Sequence, residues 1–219
     1  LTQPQLPKIS AIDALRADMV SAPAALLARA LELNGGCFTL DAACASSLFA
    51  VKLACEHLSA GKTDVMVAGG VSRPDSLYTQ VGFSQLNALS PTGRCAPFDR
   101  HANGLVVGEG CGILLLKRLE DAVSEGDTIH GVIKGVGVSN DIEGNLVGPA
   151  TEGQIRAMTA AYEQSGWSAN DIQYMECHGS GTPKGDQVEL NSILDLAQDS
   201  PGTAISIGSV KSNVGHLLT

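Results

Sequence analysis

Residues Cys37–Gly61, CFTLDAACASSLFAVKLACEHLSAG, contain the change of pattern around which the rest of the chain is organised. Residues 37–40 are apolar and β-prone and follow two glycines, which predicts a buried strand. From about Ala45 onward, apolar residues recur at helical spacing, which predicts a helix that Gly61 ends. The stretch therefore predicts a strand, a tight turn and a largely covered helix in succession.

Cys44 lies where the predicted strand meets the predicted helix. Unpaired backbone N–H groups and the positive end of the helix dipole favour a thiolate at such a position, so we expect a lowered pKa for this thiol. The residues around it are small enough for a tight turn and an acyl group: Ala42, Ala43, Ala45, Ser46 and Ser47. From this stretch alone, two interpretations stay open, namely a nucleophile or one more buried core cysteine.

The composition predicts a folded, acidic protein. Of its 219 residues, 44% are hydrophobic and 17% are charged, which suits a substantial core, and the net charge of -9 argues against nucleic-acid binding. The six cysteines form no CxxC pair and have no zinc-ligand spacing, so we expect reduced thiols, no metal site and a cytoplasmic location. We expect no membrane segment and no export, because we find no long apolar span and no signal peptide.

Short apolar runs alternate with helical patterns along the chain. This alternation predicts an α/β fold with a mostly parallel sheet covered on both faces. Residues 72–110 are rich in proline and glycine, which predicts a long functional loop. In the 151–165 helix, Gln154 is expected to complete a capping box with Thr151. Strands are predicted at 37–40, 64–71, 111–117 (buried), 129–140, 172–177 and 204–209, and helices at 24–33, 45–61, 119–124, 151–165 and 185–198.

The glycine runs at 104–112 and 135–137 lack the strand–GxGxxG–helix context of a dinucleotide site. They are therefore interpreted as loop and packing glycines. The chain does not begin with Met and stops at HLLT, directly after a candidate site residue. We therefore expect it to be a piece of a longer polypeptide.

Two later stretches each carry a histidine in a glycine-rich turn after a short apolar strand. In YMECHGSGTPKGDQVEL the residue is His178, and in ISIGSVKSNVGHLLT it is His216, with Lys211 five positions earlier. A single histidine of this kind is readily explained by a structural role. Two of them, together with Cys44 at a third strand-to-loop junction, favour a shared active site.

Three of these blocks resemble the signature blocks of β-ketoacyl synthases, in the same order and at similar spacing. They are DAACASSL around Cys44, ECHGSGT around His178, and VKSNVGH around Lys211 and His216. PFDRHANGLVVGEG resembles a further block of the family. The chain is most similar to ketosynthase domains of type I polyketide synthases and polyunsaturated fatty acid synthases.

The resemblance implies a thiolase-like αβαβα layered sandwich with mixed, mostly parallel sheets, truncated at both ends. Residues 1–120 would be the end of the N-terminal half with the nucleophile. Residues 121–219 would be the start of the C-terminal half with the two histidines. A glycine-rich loop that supplies a second oxyanion-hole N–H would lie beyond Thr219, so we expect this piece alone to be inactive and poorly folded.

The resemblance also implies a reaction, the decarboxylative Claisen condensation of an acyl thioester with malonyl-carrier protein. Cys44 would hold the acyl chain as a thioester, and its backbone N–H would serve an oxyanion. His178 and His216 would act as neutral imidazoles that stabilise the enolate formed when CO2 leaves. Lys211 would organise the histidine pair electrostatically.

Cofactor and partner expectations follow from the same resemblance. Ser180 and Thr182 would hydrogen-bond the phosphopantetheine arm, which belongs to the acyl carrier protein, so no bound cofactor is expected. A homodimer and neighbouring synthase domains are expected as well.

Four alternatives stay open. A thiolase-type acyltransferase would use a second cysteine in a later block, and a Cys-His-Asn ketoacyl synthase would have asparagine where His216 stands. A non-catalytic chain-length partner subunit would lack the cysteine, but Cys44 is present. A cysteine hydrolase could also use a cysteine and a histidine.

Overall fold

The computed structural model describes residues 22–73, 76–144, 148–197 and 204–218. Residues 1–21, which belong to the predicted N-terminal half, lie outside the described residues. The elements within these ranges, in order, are α1 Ala22–Ala30, α2 Ser46–Ser59, β1 Val65–Ser72, α3 Ser76–Gln85, β2 Gly110–Lys117, α4 Leu119–Glu125, α5 Thr151–Ser165, a 3-10 turn Ala169–Asp171, β3 Tyr174–Glu176, α6 Pro183–Ala197, β4 Ser206–Gly208 and the short α7 Lys211–Val214.

Helix α2 forms as the sequence predicts. Its last turn ends in a left-handed glycine, Gly61 with φ +65, whose N–H donates to the Leu58 carbonyl at 3.0 Å. Ala54 and Leu58 are buried on the face that packs against β1. The helix thereby fixes the turn that precedes it, which carries Cys44.

The strands form two separate pairs in the described part of the chain. β1 and β2 are antiparallel, with Val65 opposite Lys117 and Ser72 opposite Gly110. β3 and β4 are parallel, with Tyr174 opposite Ser206. The α/β class is confirmed and the pairing is mixed, so the expectation of a mostly parallel sheet holds only for the second pair.

Several expectations about strands are wrong. β2 was expected to be buried, but its residues from Gly110 to Leu115 are exposed. Among the described helices, α2 contacts this sheet most, and it packs mainly on β1. Segments 37–40 and 129–140 carry no strand ladder within the described ranges. Apolar, β-branched composition gives only a tendency, and a strand also needs the backbone of a partner.

Two helix expectations also need correction. The predicted loop 72–110 contains α3, whose sequence SLYTQVGFSQ has few strong helix formers and so gave little signal. The capping box at α5 is absent, since the N-cap residue Ala150 makes no side-chain cap bond. Gln154 instead accepts a hydrogen bond at 2.8 Å from the Ser192 hydroxyl, which ties α5 to α6.

Gly135 and Gly137 of segment 129–140 serve close packing, as the sequence predicts. The segment runs along α5, and a Cβ added at Gly137 would lie 1.8 Å from the Ala157 carbonyl oxygen. The Val136 N–H donates to the Gln164 side chain at 2.7 Å. Segment 129–140 therefore depends on glycine for its contact with the helix.

Segment 104–108 joins the two loops that carry the histidines. The N–H of Gly104 donates to the Gly181 carbonyl at 2.9 Å, which holds the loop after His178. On the other side, the His216 N–H donates to Val106 at 2.7 Å and the Gly108 N–H donates to the His216 carbonyl at 2.9 Å. A single strip of backbone thus sets the positions of both histidine loops.

Candidate active site

Three residues predicted from separate stretches of sequence meet in space. The Cys44 sulfur and one ring nitrogen from each of His178 and His216 all lie within 4.8 Å of one another. The two imidazole rings have centroids 5.1 Å apart and cross at 82°. A thiol and two imidazoles therefore face a common volume large enough for a reacting thioester carbon.

Cys44 lies in the turn before α2 and is solvent-exposed as a residue. Loss of water around its sulfur raises the pKa of the thiol, and this effect exceeds the opposing effects of its own backbone N–H and of Lys211. The expectation of a lowered pKa is therefore wrong, because desolvation near the imidazole rings outweighs the helix N-terminus. At neutral pH the resting group is a thiol.

Both histidines are neutral at pH 7. Desolvation, with the charge of Lys211, lowers the pKa of His178 to about 4. Desolvation, with the influence of His178 and Lys211, lowers the pKa of His216 to about 4. A neutral imidazole can donate one hydrogen bond without carrying a charge that would have to be desolvated.

The tautomer of His216 follows from its backbone neighbour. Its ring nitrogen Nδ1 accepts a hydrogen bond from the Leu218 N–H at 2.8 Å, so the ring hydrogen resides on Nε2. The side chain is only 3% exposed, which fixes the ring in this orientation. His216 consequently offers an N–H donor to the common volume.

This tautomer bears on metal binding. Cysteine and histidine are ligand types that zinc prefers, and Cys44, His178 and His216 form the one such cluster in the described ranges. A metal ligand must present a lone pair, whereas His216 Nε2 carries a hydrogen as long as Nδ1 accepts from Leu218. The arrangement suits hydrogen-bond donation better than metal coordination.

Lys211 stands at the start of α7, half-buried. Its positive charge lowers the pKa of Cys44, His178 and His216 alike, so it acts electrostatically on all three groups. A cation in this position keeps the imidazoles from binding a proton. It also favours the development of negative charge on a substrate placed between them.

Ser180 and Thr182 lie in the loop that follows His178. Their hydroxyls are 2.9 Å apart and hydrogen-bond to each other. Ser180 is buried, and Thr182 is partly buried. Both follow His178 within four residues of the chain. Their contact with a phosphopantetheine arm stays a prediction.

Sequence reasoning missed a carboxylate that holds the His178 loop. Glu189 of α6 accepts hydrogen bonds from the backbone N–H groups of His178 at 2.6 Å and Gly179 at 2.8 Å. Burial raises the pKa of its carboxyl group, and these two N–H groups oppose that shift. The sequence did contain a signal for this role. An acidic residue in a helix that directly follows a glycine-rich turn can accept hydrogen bonds from turn N–H groups that have no other partner.

Two further residues brace the same loop. Asp186 is buried and accepts hydrogen bonds from the N–H of Phe98 at 2.8 Å and of Gly181 at 3.2 Å. Ser209 donates to the Gly179 carbonyl at 2.9 Å and so connects the two histidine loops. Both residues act through backbone contacts that leave no recognisable motif.

None of the helices in the described ranges combines the length and apolar character needed to cross a membrane.

Comparisons with known proteins agree with this geometry. Two family models match the chain, the β-ketoacyl synthase N-terminal domain over residues 3–122 and the β-ketoacyl synthase C-terminal domain over residues 130–219. The chain is 40% identical over 195 residues to one of the subunits of the phenolphthiocerol/phthiocerol polyketide synthase of Mycobacterium tuberculosis. That match covers 87% of this chain and 11% of the length of the relative.

Solved structures show the same fold. The ketosynthase from module 6 of the bacillaene synthase from Bacillus subtilis 168 superposes with a TM-score of 0.88 at 35% identity, covering 96% of this chain and 38% of that one. PfaC Keto synthase-Chain length factor gives a TM-score of 0.89 at 44% identity, covering 99% of this chain and 23% of that one. The predicted thiolase-like fold is confirmed, and the chain belongs to the β-ketoacyl synthase family.

Proposed function

We propose that this chain is the part of a ketosynthase that performs the decarboxylative Claisen condensation of an acyl thioester with a malonyl thioester. One observation carries the proposal: a thiol sulfur and a nitrogen of each of two neutral imidazoles lie within 4.8 Å of one another. The family match supports it. The reaction needs one group that holds an acyl chain and two that stabilise an enolate, and this cluster supplies both.

The first step is acyl transfer to Cys44. The sulfur attacks the carbonyl carbon of the incoming thioester, the carbon–sulfur bond to the carrier breaks, and the carrier departs as a thiol. Because the resting Cys44 is a thiol, its proton must leave during the attack. The departing carrier sulfur takes up this proton, so the carrier leaves as a neutral thiol and the step balances.

The second step uses the histidine pair. When the bond between the malonyl carboxylate and its α-carbon breaks, CO2 leaves and the electron pair forms an enolate on the thioester. The N–H of His216 and a matching N–H of His178 stabilise the enolate oxygen, and one such donor contributes roughly 3 kcal/mol. The enolate carbon then attacks the acyl group on Cys44 and releases the thiolate, leaving a β-ketoacyl thioester. The thiolate takes up a proton from water, which restores the resting thiol.

The same proposal includes the partners. An acyl carrier protein delivers both thioesters on its phosphopantetheine arm, and Ser180 and Thr182 hydrogen-bond this arm. Their position directly after His178 supports that role. The working form is a homodimer within a larger synthase, and the small share of the relative's length that the chain spans supports neighbouring synthase domains.

The alternatives of a non-catalytic chain-length partner and of a thiolase have no observation in their favour. A protein without catalysis would not need a thiol beside two neutral imidazoles. Hydrolysis by the same cysteine would need a water molecule in place of the malonyl thioester. Analysis of the products, free acid against β-ketoacyl thioester, separates hydrolysis from condensation.

The test compares Cys44→Ala with Cys111→Ala in the natural polypeptide that carries this sequence. Cys111 is another exposed free thiol and serves as the matched control. Mass spectrometry follows acyl transfer from carrier to enzyme, and a separate assay follows CO2 release from malonyl carrier. We expect Cys44→Ala to abolish acyl transfer while decarboxylation continues. Acylation of the Cys44→Ala protein at the wild-type rate would overturn the assignment.

A further inference from the structure

The turn that carries Cys44 has an unusual backbone. We call residues 41–46 the Cys44 elbow. Within it, Ala43 has φ +49, in the left-handed region that non-glycine residues rarely adopt. Such a conformation persists only where surrounding contacts hold it in place, and it is common at functional sites. The question is which side chains hold this elbow.

Ser46 makes two of the contacts. Its hydroxyl accepts a hydrogen bond from the Ala42 N–H at 2.9 Å and donates one to the Ala43 carbonyl at 2.6 Å. The residue is only 9% exposed, so water does not readily replace these bonds. One buried hydroxyl therefore binds both the Ala42 N–H and the Ala43 carbonyl, and so holds the peptide bond between these two residues.

Asp41 makes a third contact at the start of the elbow. Its carboxylate oxygen Oδ1 accepts a hydrogen bond from the Ala43 N–H at 2.9 Å. The Ala42 carbonyl accepts from the Ala45 N–H at 3.1 Å. Every backbone group of Ala42 and Ala43 consequently has a partner inside the elbow.

The Cys44 N–H takes no part in these contacts. Within the described part of the chain it donates to no carbonyl of another residue. The Cys44 N–H is therefore available to the carbonyl oxygen of a thioester that the sulfur of the same residue attacks. The elbow thus carries the attacking sulfur and an available oxyanion donor on one residue.

We propose that Ser46 is a positioning residue for acyl transfer, and that its hydroxyl, assisted by the Asp41 carboxylate, holds the strained elbow so that the Cys44 sulfur and N–H meet the thioester carbonyl together. This inference rests on the proposed role of Cys44. It adds that the rate of the first step depends on two side chains that do not touch the substrate.

The principal test compares Ser46→Ala with Ser47→Ala. Ser47 is the next residue in α2 and makes none of the elbow contacts, so it is the matched control. We expect Ser46→Ala to lower kcat/KM for acyl transfer by about 10-fold to 100-fold, because small displacements of reacting groups have effects of this size. We expect the alkylation rate of Cys44 with iodoacetamide to fall in parallel, and Ser47→Ala to change both by less than about twofold.

A second pair of variants covers the case in which Ser46→Ala does not fold. Asp41 is exposed, so Asp41→Ala retains the core, and we expect it to slow acyl transfer about 3-fold to 10-fold. Asp41→Asn keeps an oxygen acceptor for the Ala43 N–H and should recover part of this loss. Decarboxylation of malonyl carrier, measured with and without Ser46→Ala in a Cys44→Ala background, should not change, because it uses the histidines.

The outcomes separate the two proposals. If wild-type Cys44 is not acylated at all, the proposed function fails. If wild type is acylated while Ser46→Ala and Asp41→Ala match Ser47→Ala in both rates, the positioning role is overturned and the proposed function stands. A loss of acyl transfer in Ser46→Ala together with an equal loss of decarboxylation would also overturn it, because the effect would then not be confined to the elbow.

Discussion

The two imidazole rings of the site resist protonation, with consequences for both chemistry and stability. Each has a pKa of about 4, whereas an unfolded histidine titrates near 6.5. Between these values the unfolded chain binds more protons than the folded chain, so the free energy of unfolding falls as the pH drops. The same low pKa keeps both rings available as uncharged donors at neutral pH.

The first prediction concerns this titration. NMR of ring-labelled histidine should show His178 and His216 neutral from pH 8 down to about pH 5, with protonation only near pH 4. Decarboxylation of malonyl carrier should accordingly show no loss centred at pH 6.5. A transition of either ring near the ordinary value would contradict the desolvated, Lys211-influenced environment of the two imidazoles.

The second prediction concerns Lys211. Its charge lowers the pKa of both histidines, so Lys211→Ala should raise both values toward 6.5 and move the acid limb of the decarboxylation profile to higher pH. Lys211→Arg keeps the charge and should shift the profile less. Lys134→Ala, an exposed lysine on segment 129–140, is the control and should leave the profile in place. Unchanged histidine titration in Lys211→Ala would show that the lysine does not act on the pair.

At the scale of elements, helix α6 holds the loop in front of it. Its Glu189 and Asp186 carboxylates accept four backbone N–H groups of nearby residues: His178, Gly179, Gly181 and Phe98. A loop with its N–H groups bound in this way cannot rotate freely about its glycines. The position of His178 is therefore a property of the helix as much as of the loop.

The third prediction follows from this arrangement. Glu189→Ala removes two acceptors from the His178 loop and should slow decarboxylation by about 10-fold to 100-fold, since the donor is then no longer held in place. Glu163→Ala, an exposed carboxylate on α5, should have little effect. Equal rates for the two variants would assign Glu189 to stability alone.

The fourth prediction concerns the contact between segment 129–140 and α5. A Cβ at position 137 would lie 1.8 Å from the Ala157 carbonyl oxygen, whereas a Cβ at Gly131 would meet nothing within 4 Å. Gly137→Ala should lower the free energy of unfolding by about 1–3 kcal/mol or more, and Gly131→Ala should have a much smaller effect. Urea unfolding of both variants measures the difference. Similar stability of the two would show that the segment does not lie against the helix.

At the scale of the whole molecule, the grouping of the candidate site residues was easier to predict from the sequence than the pairing of the strands. Cys44, His178, Lys211 and His216 were found because each stands in a short contiguous motif. The role of segment 104–108 was not predicted, because its hydrogen bonds to the histidine loops are made by backbone groups and its glycines only permit the close approach. Strand pairing escaped prediction for a similar reason, since an apolar run does not show which backbone will lie beside it.

The strip formed by segment 104–108 also has a meaning for protein engineering. It comes from the first half of the chain, the histidine loops come from the second, and the hydrogen bonds between them join backbone to backbone. These bonds use no side chains, but they need glycine in the strip, because a Cβ at Gly108 would lie 2.1 Å from the Val214 carbonyl oxygen and Gly104 has φ +141. We therefore expect that recombining the halves of two related synthases between residues 109 and 177 keeps the histidine register where both parents have glycine at these two positions. Hybrid condensing enzymes built at this crossover would inherit the acyl-carrying cysteine from one parent and the two enolate-stabilising histidines from the other.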